Sequence, residues 1–339
     1  MFILDRFNGL KALVVGDVMI DAYSKGLVER MSPEAPVPIV SLKEHFDRLG
    51  GAANVALNLK ALDAVPFVCS VIGNDTAGER LFQLMREHDL NTDGLVRSKQ
   101  RCTTVKHRVF DRERQLLRID EEDTFDLNEE ERLSLLAKID EQMRQERIDV
   151  IILQDYNKGV LSPAIIKHLL EAADSAGIPV VVDPKKNNFF AYDGVTLFKP
   201  NAKELCDGLG VHAETIDELR QAANSLQERL RCQYLMVTLS EKGVMILHDN
   251  TFLHLAAHPR HIVDVSGAGD TVLSVAALCV ASYRCARHES TLGIVTQKTI
   301  GEAIATLSNI AGGMVCESSG VVPIDKARFE EEIKRLYHG

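Results

Sequence analysis

The sequence has no pair of cysteines at C-x-x-C spacing, although seven cysteines are scattered along its 339 residues. This arrangement argues against a disulfide framework or a cysteine zinc site and indicates a reduced, cytoplasmic protein. Positive charge is also scarce, because 39 Lys and Arg face 49 Asp and Glu, giving a formal net charge of -10. The acidic balance argues against nucleic acid or an anionic membrane as the main partner, so any anionic ligand needs a local cationic site.

Long apolar runs are missing as well. No stretch is long enough and free enough of charge to span a bilayer, and Asp5 and Arg6 stand where a signal peptide needs apolar residues. The sequence shows no internal repeat, no interdomain linker and no G-x-x-x-x-G-K-[ST] phosphate loop. We therefore expect one soluble domain over residues 1–339, with neither a membrane nor a nucleic acid as partner.

Short apolar segments that favour β structure alternate with helical patterns. The predicted strands are Ala12 to Val15, Phe67 to Ile72, Val150 to Leu153, Val180 to Val182 and Leu235 to Thr238. The predicted helices are Ala52 to Leu62, Gly78 to His88, Asn128 to Arg147, Pro163 to Ala176 and Ile216 to Arg231. Because the strands are apolar throughout, both faces of their sheet are expected to be buried. This predicts an α/β fold with a mostly parallel sheet flanked by helices.

Polar residues follow four strand-like segments: Asp17, Asp155, Asp183 and Asn201. In open α/β sheets, ligands bind beyond the carboxyl ends of the strands, so these residues predict one shared cleft. Asp and Asn also favour turns and helix caps, and this alternative stays open for each of them.

Two segments, residues 22–48 and 97–122, break the alternation of strands and helices. The second is typical of a β-hairpin with a four-residue polar turn from Asp111 to Arg114. Period-two alternation places Lys106 and Arg108 on one strand face, where two cations can hold an anion such as a substrate phosphate. A solvated strand face is the alternative. We predict that the two segments form a small antiparallel β lid over the cleft.

The heptapeptide from Asp264 to Asp270, Asp-Val-Ser-Gly-Ala-Gly-Asp, precedes a long apolar run that is typical of a buried helix. Gly267, Ala268 and Gly269 then lie at the helix N-terminus, where unpaired N–H groups and the helix dipole suit a phosphate or a developing oxyanion. Asp270 can serve as a base for an acceptor hydroxyl. A Gly-rich helix entry with a first-turn carboxylate is the alternative.

Two shorter motifs add ligand-binding groups. Gly50 and Gly51 permit close approach of the backbone to a ligand, and Asn54 offers both a donor and an acceptor to sugar hydroxyls. Asn201 and Glu204, three residues apart, share a helical face and can position hydrated Mg²⁺. A helix cap with a capping carboxylate explains this last pair equally well.

In this order, the motifs resemble those of the ribokinase-like (phosphofructokinase-B) sugar kinases, from about residue 10 to residue 325. The resemblance implies one large α/β domain with a β lid. The chain is most similar to the D-glycero-β-D-manno-heptose 7-phosphate kinases. The passages that carry this similarity are Val15 to Asp21, Arg30 to Pro38, Gly50 to Ala56, Thr104-x-Lys106-x-Arg108, Asp155 to Gly159 and Asp183 to Lys185. Ser274-Val275 departs from the Ala-Gly of many ribokinase-type members. The sequence has no H-x-G-H motif, so we expect a stand-alone kinase.

The resemblance implies that ATP phosphorylates the anomeric hydroxyl of heptose 7-phosphate, giving heptose 1,7-bisphosphate for ADP-heptose and lipopolysaccharide core synthesis. Asp270 would be the base, with the N–H groups of Gly267, Ala268 and Gly269 around the migrating phosphoryl group. Asn201 and Glu204 would hold Mg²⁺ through water. The implied sugar-binding residues are Asp17, Gly50, Gly51, Asn54 and Asp155, and those for the 7-phosphate are Lys106, Arg108 and Lys185. The implied nucleotide-binding residues are Ser240, Glu241, Gly243, Asp264, Asn309 and Gly312.

The resemblance also admits a monovalent cation and a homodimer formed through the lid. Two alternatives remain open. The first is another kinase of this family acting on a different sugar phosphate, such as fructose phosphate. The second is a non-catalytic regulator that binds a sugar phosphate.

Overall fold

The computed structural model describes residues 3–248, 251–288 and 297–338, and the strands in these ranges form two sheets. The strands are β1 (Lys11–Gly16), β2 (Val18–Met31), β3 (Pro38–Gly51), β4 (Val65–Gly73), β5 (Leu95–Ser98), β6 (Val105–Asp111), β7 (Arg114–Glu121), β8 (Val150–Gln154), β9 (Val180–Asp183), β10 (Leu197–Phe198), β11 (Tyr234–Thr238), β12 (Val244–His248) and β13 (Thr251–Leu255).

The large sheet has the strand order β13-β12-β11-β10-β9-β8-β1-β4-β5. All neighbours from β11 to β5 pair in parallel, and only β12 and β13 run antiparallel at one edge. The predicted mostly parallel sheet is therefore confirmed, whereas the antiparallel hairpin at its edge was not predicted.

Helices cover both faces of this sheet. They are α1 (Ala52–Ala61), α2 (Thr76–Glu87), α3 (Glu129–Gln145), α4 (Pro163–Ala176), α5 (Ala202–Leu209), α6 (Ile216–Leu230), α7 (Ala268–His288), α8 (Gln297–Val315) and α9 (Lys326–His338). Alternate residues of a central strand belong to the two cores: Val14 lies in the core that includes α1, α7 and α8, and Val15 lies in the core that includes α3 to α6. Among the described residues, no helix is long and apolar enough to cross a membrane.

The small sheet has the strand order β3-β2-β6-β7, and both predicted lid segments contribute strands to it. Its outer pairs are antiparallel, and the inner pair, β2 with β6, is parallel. The predicted hairpin of β6 and β7 is present, but Asp111 pairs with Arg114, so its turn contains two residues and not four. Arg112 in this turn has a φ of 53°, a left-handed conformation that such tight turns require.

The lid sheet is connected directly to the carboxyl edge of the large sheet. Strand β2 begins two residues after β1 ends, and β3 leads without a loop into α1 at Ala52. Because β1, β8, β9 and β10 run parallel, the residues that follow them reach the same edge, beneath the lid. This edge contains the candidate site.

Candidate active site

Asp270 lies in the first turn of α7 and is only 3% exposed. Three side chains donate hydrogen bonds to its carboxylate. Asn54 Nδ2 lies 2.7 Å from Oδ2, and Gln154 Nε2 and Tyr156 Oη lie 3.0 Å and 2.9 Å from Oδ1. The chain thus brings α1, the end of β8 and the next loop together around one buried carboxylate.

Burial raises the pKa of Asp270 to about 6 from its ordinary value of 3.8. The hydrogen bonds from Asn54 and Tyr156 act in the opposite direction, the negative charge of Asp183 raises the pKa further, and Lys199 lowers it. A carboxylate with a pKa near 6 is mostly ionised at neutral pH and is a stronger base than an exposed one. This is the property that a general base needs.

The glycine turn before Asp270 is packed tightly against its neighbours. Gly267 has a φ of 81°, and a Cβ atom there would lie 2.9 Å from Asn54 Nδ2. The N–H of Ala268 donates to the carbonyl of Val265 at 3.3 Å, so this N–H group closes the turn. The N–H groups of the next residues, at Gly269 and Asp270, belong to the first helical turn, where helices lack internal acceptors. The turn is therefore a candidate anion site at the start of α7.

A buried ion pair that the sequence analysis did not assign lies against this turn. Lys199 Nζ is 3.0 Å from Asp183 Oδ2, and the two side chains are 3% and 7% exposed. A Cβ atom on Gly269 would be 3.9 Å from both. The sequence predicts Asp183 as a cleft residue after a strand and as part of the Asp183 to Lys185 passage, without a role in binding or catalysis. Lys199, inside an apolar Leu-Phe-Lys-Pro run, is not predicted as a site residue. The pair places one fixed cation and one carboxylate directly beside the anion site.

Asn201 and Glu204 form a capping box at the start of α5. Asn201 Oδ1 accepts from the N–H of Glu204 at 2.8 Å, and Glu204 Oε2 accepts from the N–H of Asn201 at 2.9 Å. The other oxygen of Glu204 forms an ion pair with Lys185, whose Nζ is 4.0 Å from Asp183 Oδ1. The helix-cap alternative is therefore realised, and Lys185 stands between two carboxylates, with its Nζ also 5.4 Å from the centre of the Tyr156 ring.

The carboxylates near Lys185 fit a magnesium ion that is held mainly by phosphates and water. Within the described ranges, no group of three or more His, Cys, Asp or Glu side chains forms a metal cage. Asp183 Oδ1 is buried and has no hydrogen-bond partner among the described residues. One or two carboxylates together with substrate phosphates are the usual protein setting for Mg²⁺. Asp183 and Glu204 are the residues that would hold it.

Asp17 and Asp155 organise the loop that follows β8. Asp17 accepts hydrogen bonds from the backbone N–H groups of Tyr156, Lys158 and Val160 at 2.8, 3.1 and 3.2 Å. Burial and the nearby Asp155 raise the pKa of Asp17 to about 6, against these hydrogen bonds.

The carboxylate of Asp155 faces the interior. It accepts from the backbone N–H of Asn157 at 2.8 Å, from Tyr192 Oη at 2.7 Å and from Asn188 Nδ2 at 3.3 Å. Asp155, a predicted sugar-binding residue, therefore lies beneath the cleft, and its carboxylate fixes the loop after β8.

The cleft face of the lid carries the predicted phosphate-binding cations, and they differ in environment. Arg108 is buried in an ion pair with Asp21, which sequence reasoning did not single out. Lys106 has no carboxylate within 4 Å among the residues that the structure describes, and its Nζ lies 4.9 Å from the centre of the Tyr156 ring. Burial lowers the pKa of Lys106, and Asp21 partly offsets this effect. Lys106 is therefore the lid cation that is available to an anionic ligand.

The two glycines at the end of β3 stand at crowded positions. A Cβ atom on Gly50 would collide with the carboxylate of Asp21, and one on Gly51, whose φ is 59°, would collide with the carbonyl of Asp17. Asn54, predicted to bind sugar hydroxyls, lies behind Asp270 and is fully buried. These residues bring the lid and the body together at the base of the cleft.

Some of the predicted nucleotide residues lie at the end of β11 and the start of α5. Ser240, Glu241 and Asn201 line one open cleft together with Thr238. Gly243 has a φ of 90° and packs against the carbonyl of Leu255, so its place is in the turn between β11 and β12.

The remaining three predicted nucleotide residues lie around the glycine turn and α8. A Cβ atom on Gly312 of α8 would be 2.6 Å from Val272 and 3.8 Å from the carbonyl of Ala268, so Gly312 adjoins the turn. Asn309 donates to the carbonyl of Ala256 at 2.8 Å. Asp264 accepts from the backbone N–H groups of Ser266 and Gly320, both at 2.9 Å.

Comparison with known proteins agrees with this arrangement. The family model described as "pfkB family carbohydrate kinase" matches residues 10–326. The chain is 39% identical over 322 residues to a "Bifunctional protein HldE" of Methylobacillus flagellatus, and this match covers 95% of the chain and 63% of the relative. It is 36% identical to a protein of the same name from Mesorhizobium japonicum, covering 93% of the chain and 60% of the relative. The chain thus spans about three fifths of the length of these relatives.

Among solved structures, phosphofructokinase-2 from Escherichia coli in complex with potassium aligns with a TM-score of 0.75 at 19% identity, over 97% of this chain and 99% of that one. This likeness confirms the ribokinase-like fold that the sequence predicts. The match of the family model over nearly the whole chain, with a buried carboxylate in a glycine turn at the carboxyl edge of the sheet, leads to one conclusion: the chain belongs to the pfkB family of carbohydrate kinases.

Proposed function

We propose that this kinase transfers the γ-phosphoryl group of ATP to the anomeric hydroxyl of D-glycero-β-D-manno-heptose 7-phosphate, giving heptose 1,7-bisphosphate for ADP-heptose and lipopolysaccharide core synthesis. The observation that carries the proposal is Lys106, a half-buried cation on the cleft face of the lid, separated from Asp270 by the ring of Tyr156. An uncompensated cation at this place favours a sugar that carries a phosphate away from its reacting hydroxyl. The heptose itself is inferred from the similarity of the Arg30 to Pro38 segment and the lid motif.

Asp270 would accept the proton of the anomeric hydroxyl as that oxygen attacks the phosphoryl group. Its three hydrogen-bond donors orient the carboxylate, and its raised pKa strengthens it as a base. The N–H groups of Gly269 and Asp270 and the ammonium of Lys199 would stabilise charge on the transferred phosphoryl group, whereas the N–H of Ala268, also predicted for this role, donates to the carbonyl of Val265. Such fixed dipoles and charges need no reorganisation during the reaction. This preorganised stabilisation of charge is the main source of catalysis in phosphoryl transfer.

ATP and Mg²⁺ would occupy the side of the cleft lined by Asn201, Ser240 and Glu241. When bound, Mg²⁺ neutralises charge on the phosphates of the nucleotide. Asp183 and Glu204 would hold the ion directly or through water. The ammonium of Lys185 would then leave these carboxylates and bind a phosphate oxygen. The role of Lys185 is therefore proposed on the nucleotide side, and Lys106 remains the residue proposed for the 7-phosphate.

A kinase acting on another sugar phosphate, such as fructose phosphate, is the second candidate, because Lys106 would serve any phosphorylated sugar. The experiment that separates the two measures ADP formation across a panel of sugars and sugar phosphates. The panel contains heptose 7-phosphate, fructose 6-phosphate, fructose 1-phosphate, ribose and ribose 5-phosphate, each with and without potassium chloride. We expect the highest kcat/KM for heptose 7-phosphate. A higher value for a fructose phosphate would replace the proposal, and no turnover with any compound would favour a regulator.

The pH dependence of kcat/KM tests the role of Asp270. Because the pKa of Asp270 is about 6 and the base acts when ionised, kcat/KM should be level above this pH. Below it, kcat/KM should fall about tenfold per pH unit. The substrate phosphate also titrates near pH 6, so Tyr156→Phe serves as control. The hydroxyl of Tyr156 lowers the pKa of Asp270, and its removal should shift the acid limb to higher pH. If the acid limb of the Tyr156→Phe profile stays at the wild-type pH, the group that titrates is the phosphate of the substrate.

We also propose a cytoplasmic homodimer that pairs through the lid. The edges of the lid sheet are β3 and β7, and exposed apolar side chains lie on both, with Leu42 at 56%, Leu117 at 53% and Ile119 at 52% exposure. Unpaired strand edges favour association. Sedimentation velocity should therefore give a dimer for the wild type and a monomer for the double variant Leu117→Asp/Ile119→Asp. A control change at exposed Val211, Val211→Asp, should leave the dimer intact, and a monomeric wild type would refute the proposal.

A further inference from the structure

The segment between α8 and α9 makes hydrogen bonds to the residues that precede the glycine turn. We call residues 318–321 the strap. The N–H of Gly320 in the strap donates to Asp264 Oδ2 at 2.9 Å, and Asp264 Oδ1 accepts from the N–H of Ser266 at 2.9 Å. Just before the strap, the carbonyl of Cys316 accepts from the N–H groups of Val263 and Asp264 at 2.8 and 3.1 Å. The strap thus fixes the backbone that leads into the turn.

The other side of the strap is held by three lid side chains. Arg48 Nη1 donates to two of its carbonyls, those of Ser319 and Val321, each at 2.8 Å. Tyr23 Oη accepts from the N–H of Val321 at 3.1 Å, and Lys25 Nζ donates to Ser319 Oγ at 3.3 Å. Arg48 is the one of the three that holds the strap at two points, because one charged group donates to two carbonyls.

The strap has little freedom to adopt another arrangement between these two sides. Gly320 has a φ of 72°, and a Cβ atom there would lie 2.9 Å from the Tyr23 ring and 3.1 Å from Arg48 Nη1. The neighbouring Val321 touches the turn itself, since a Cβ atom on Gly267 would be 3.1 Å from its side chain. A displacement of the strap therefore changes the space beside Gly267.

The guanidinium of Arg48 is fixed by stacking on the lid. Its Cζ lies 5.0 Å from the centre of the Phe46 ring and 5.7 Å from that of Tyr23, and these rings stack on each other at 4.9 Å. Among the described residues, Arg48 has no carboxylate within 4 Å. Its charge is therefore directed to the strap carbonyls and not to an ion pair.

We propose that Arg48 is a positioning residue: it connects the lid to the glycine turn through the strap, so that the turn adopts its anion-binding geometry when the lid is docked. The connected contacts are Arg48 to the carbonyls of Ser319 and Val321, Gly320 to Asp264, and Asp264 to Ser266. The proposal rests on the kinase activity but not on the identity of the sugar. It is therefore tested with whichever sugar phosphate the wild-type enzyme consumes.

Arg48→Met should lower kcat about ten- to a hundredfold, because small displacements of a catalytic group have effects of this size. KM for both substrates should change by no more than about threefold, since the turn acts on the transition state. Arg48→Lys keeps the charge and N–H donors but not the planar guanidinium, so it should recover part of kcat. Arg80→Met is the matched control. Arg80 also joins the lid to the body, through Asp47 at 2.9 Å, but does not touch the strap, and kcat should stay within about twofold of wild type.

Hydrogen exchange provides a readout that does not depend on turnover. In Arg48→Met, amides of residues 262–270 and 316–322 should exchange faster than in wild type, whereas in Arg80→Met they should not. The kcat losses of Arg48→Met and Asp264→Asn should not add in the double variant, because both interrupt one connection. The proposal is overturned if Arg48→Met keeps wild-type kcat, if only KM for the sugar rises, or if exchange in both segments is unchanged. A general loss of folding would appear as faster exchange throughout the core.

Discussion

Replacing Asp270 with asparagine is expected to lower kcat by about 10²–10⁴-fold, the usual contribution of a general base. The amide keeps the size of the carboxyl group and can still accept from Tyr156 or Asn54, but it cannot take a proton. ATP binding, measured by calorimetry, should remain close to that of wild type, because Asn201, Ser240 and Glu241, which are proposed to bind the nucleotide, line a cleft that does not include Asp270. The matched control is Asp217→Asn, which changes a first-turn aspartate of α6 and should retain full activity. Turnover close to wild type in Asp270→Asn would remove Asp270 from the mechanism.

Stability measurements show whether the variant has merely unfolded. The pKa of Asp270 is about 6 in the folded protein and 3.8 for an ordinary aspartate. Between these values, the folded state keeps a proton that the unfolded state has released, so wild-type stability falls as pH rises through this window and is level above it. Asparagine does not titrate. The free energy of unfolding of the variant minus that of wild type should therefore increase by about 3 kcal/mol as the pH rises from below 3.8 to above 6. A difference that is independent of pH would mean that the pKa of Asp270 is not raised.

The sequence predicts which polar residues meet at one edge of the sheet, because this depends on backbone geometry. Parallel strands bring their carboxyl ends to one edge, so the polar residues after β1, β8 and β9 had to meet there. The period of two along β6 likewise placed Lys106 and Arg108 on the cleft face. The predicted limits of α4, which has Pro163 at its first position, match those of the structure, whereas α2 begins two residues before its predicted start.

Pairing of the side chains could not be predicted, because it depends on contacts between distant segments. Gln154 reaches Asp270, whereas the adjacent Asp155 points to Tyr192, since successive residues at a strand end face opposite sides. Arg108 is neutralised by Asp21, a partner 87 positions away in sequence. The sequence does not indicate a role for Arg48, because its partners are backbone carbonyls of the strap and no side-chain motif marks them.

Lys106→Met is expected to raise KM for the sugar phosphate by about 10–100-fold, the effect of removing one charge-assisted hydrogen bond to a phosphate. KM for ATP should be nearly unchanged, because Lys106 lies on the lid and not beside the nucleotide cleft. The preference for a phosphorylated over an unphosphorylated sugar should shrink by the same factor as the rise in KM. Lys43→Met, which removes an exposed lysine of the same sheet, is the control for net charge and should have no effect.

Arg108→Met should behave differently from Lys106→Met, although the sequence pattern treats the two cations alike. Removing Arg108 leaves Asp21 buried without its partner, which should lower the melting temperature, because an uncompensated buried charge typically costs about 3–5 kcal/mol. The double variant Asp21→Asn/Arg108→Met removes that charge and should restore much of the stability. If the phosphate is held by Lys106, the double variant keeps a KM for the sugar phosphate close to wild type. A KM that rises as much as in Lys106→Met would instead make Arg108 a phosphate ligand that exchanges Asp21 for the substrate.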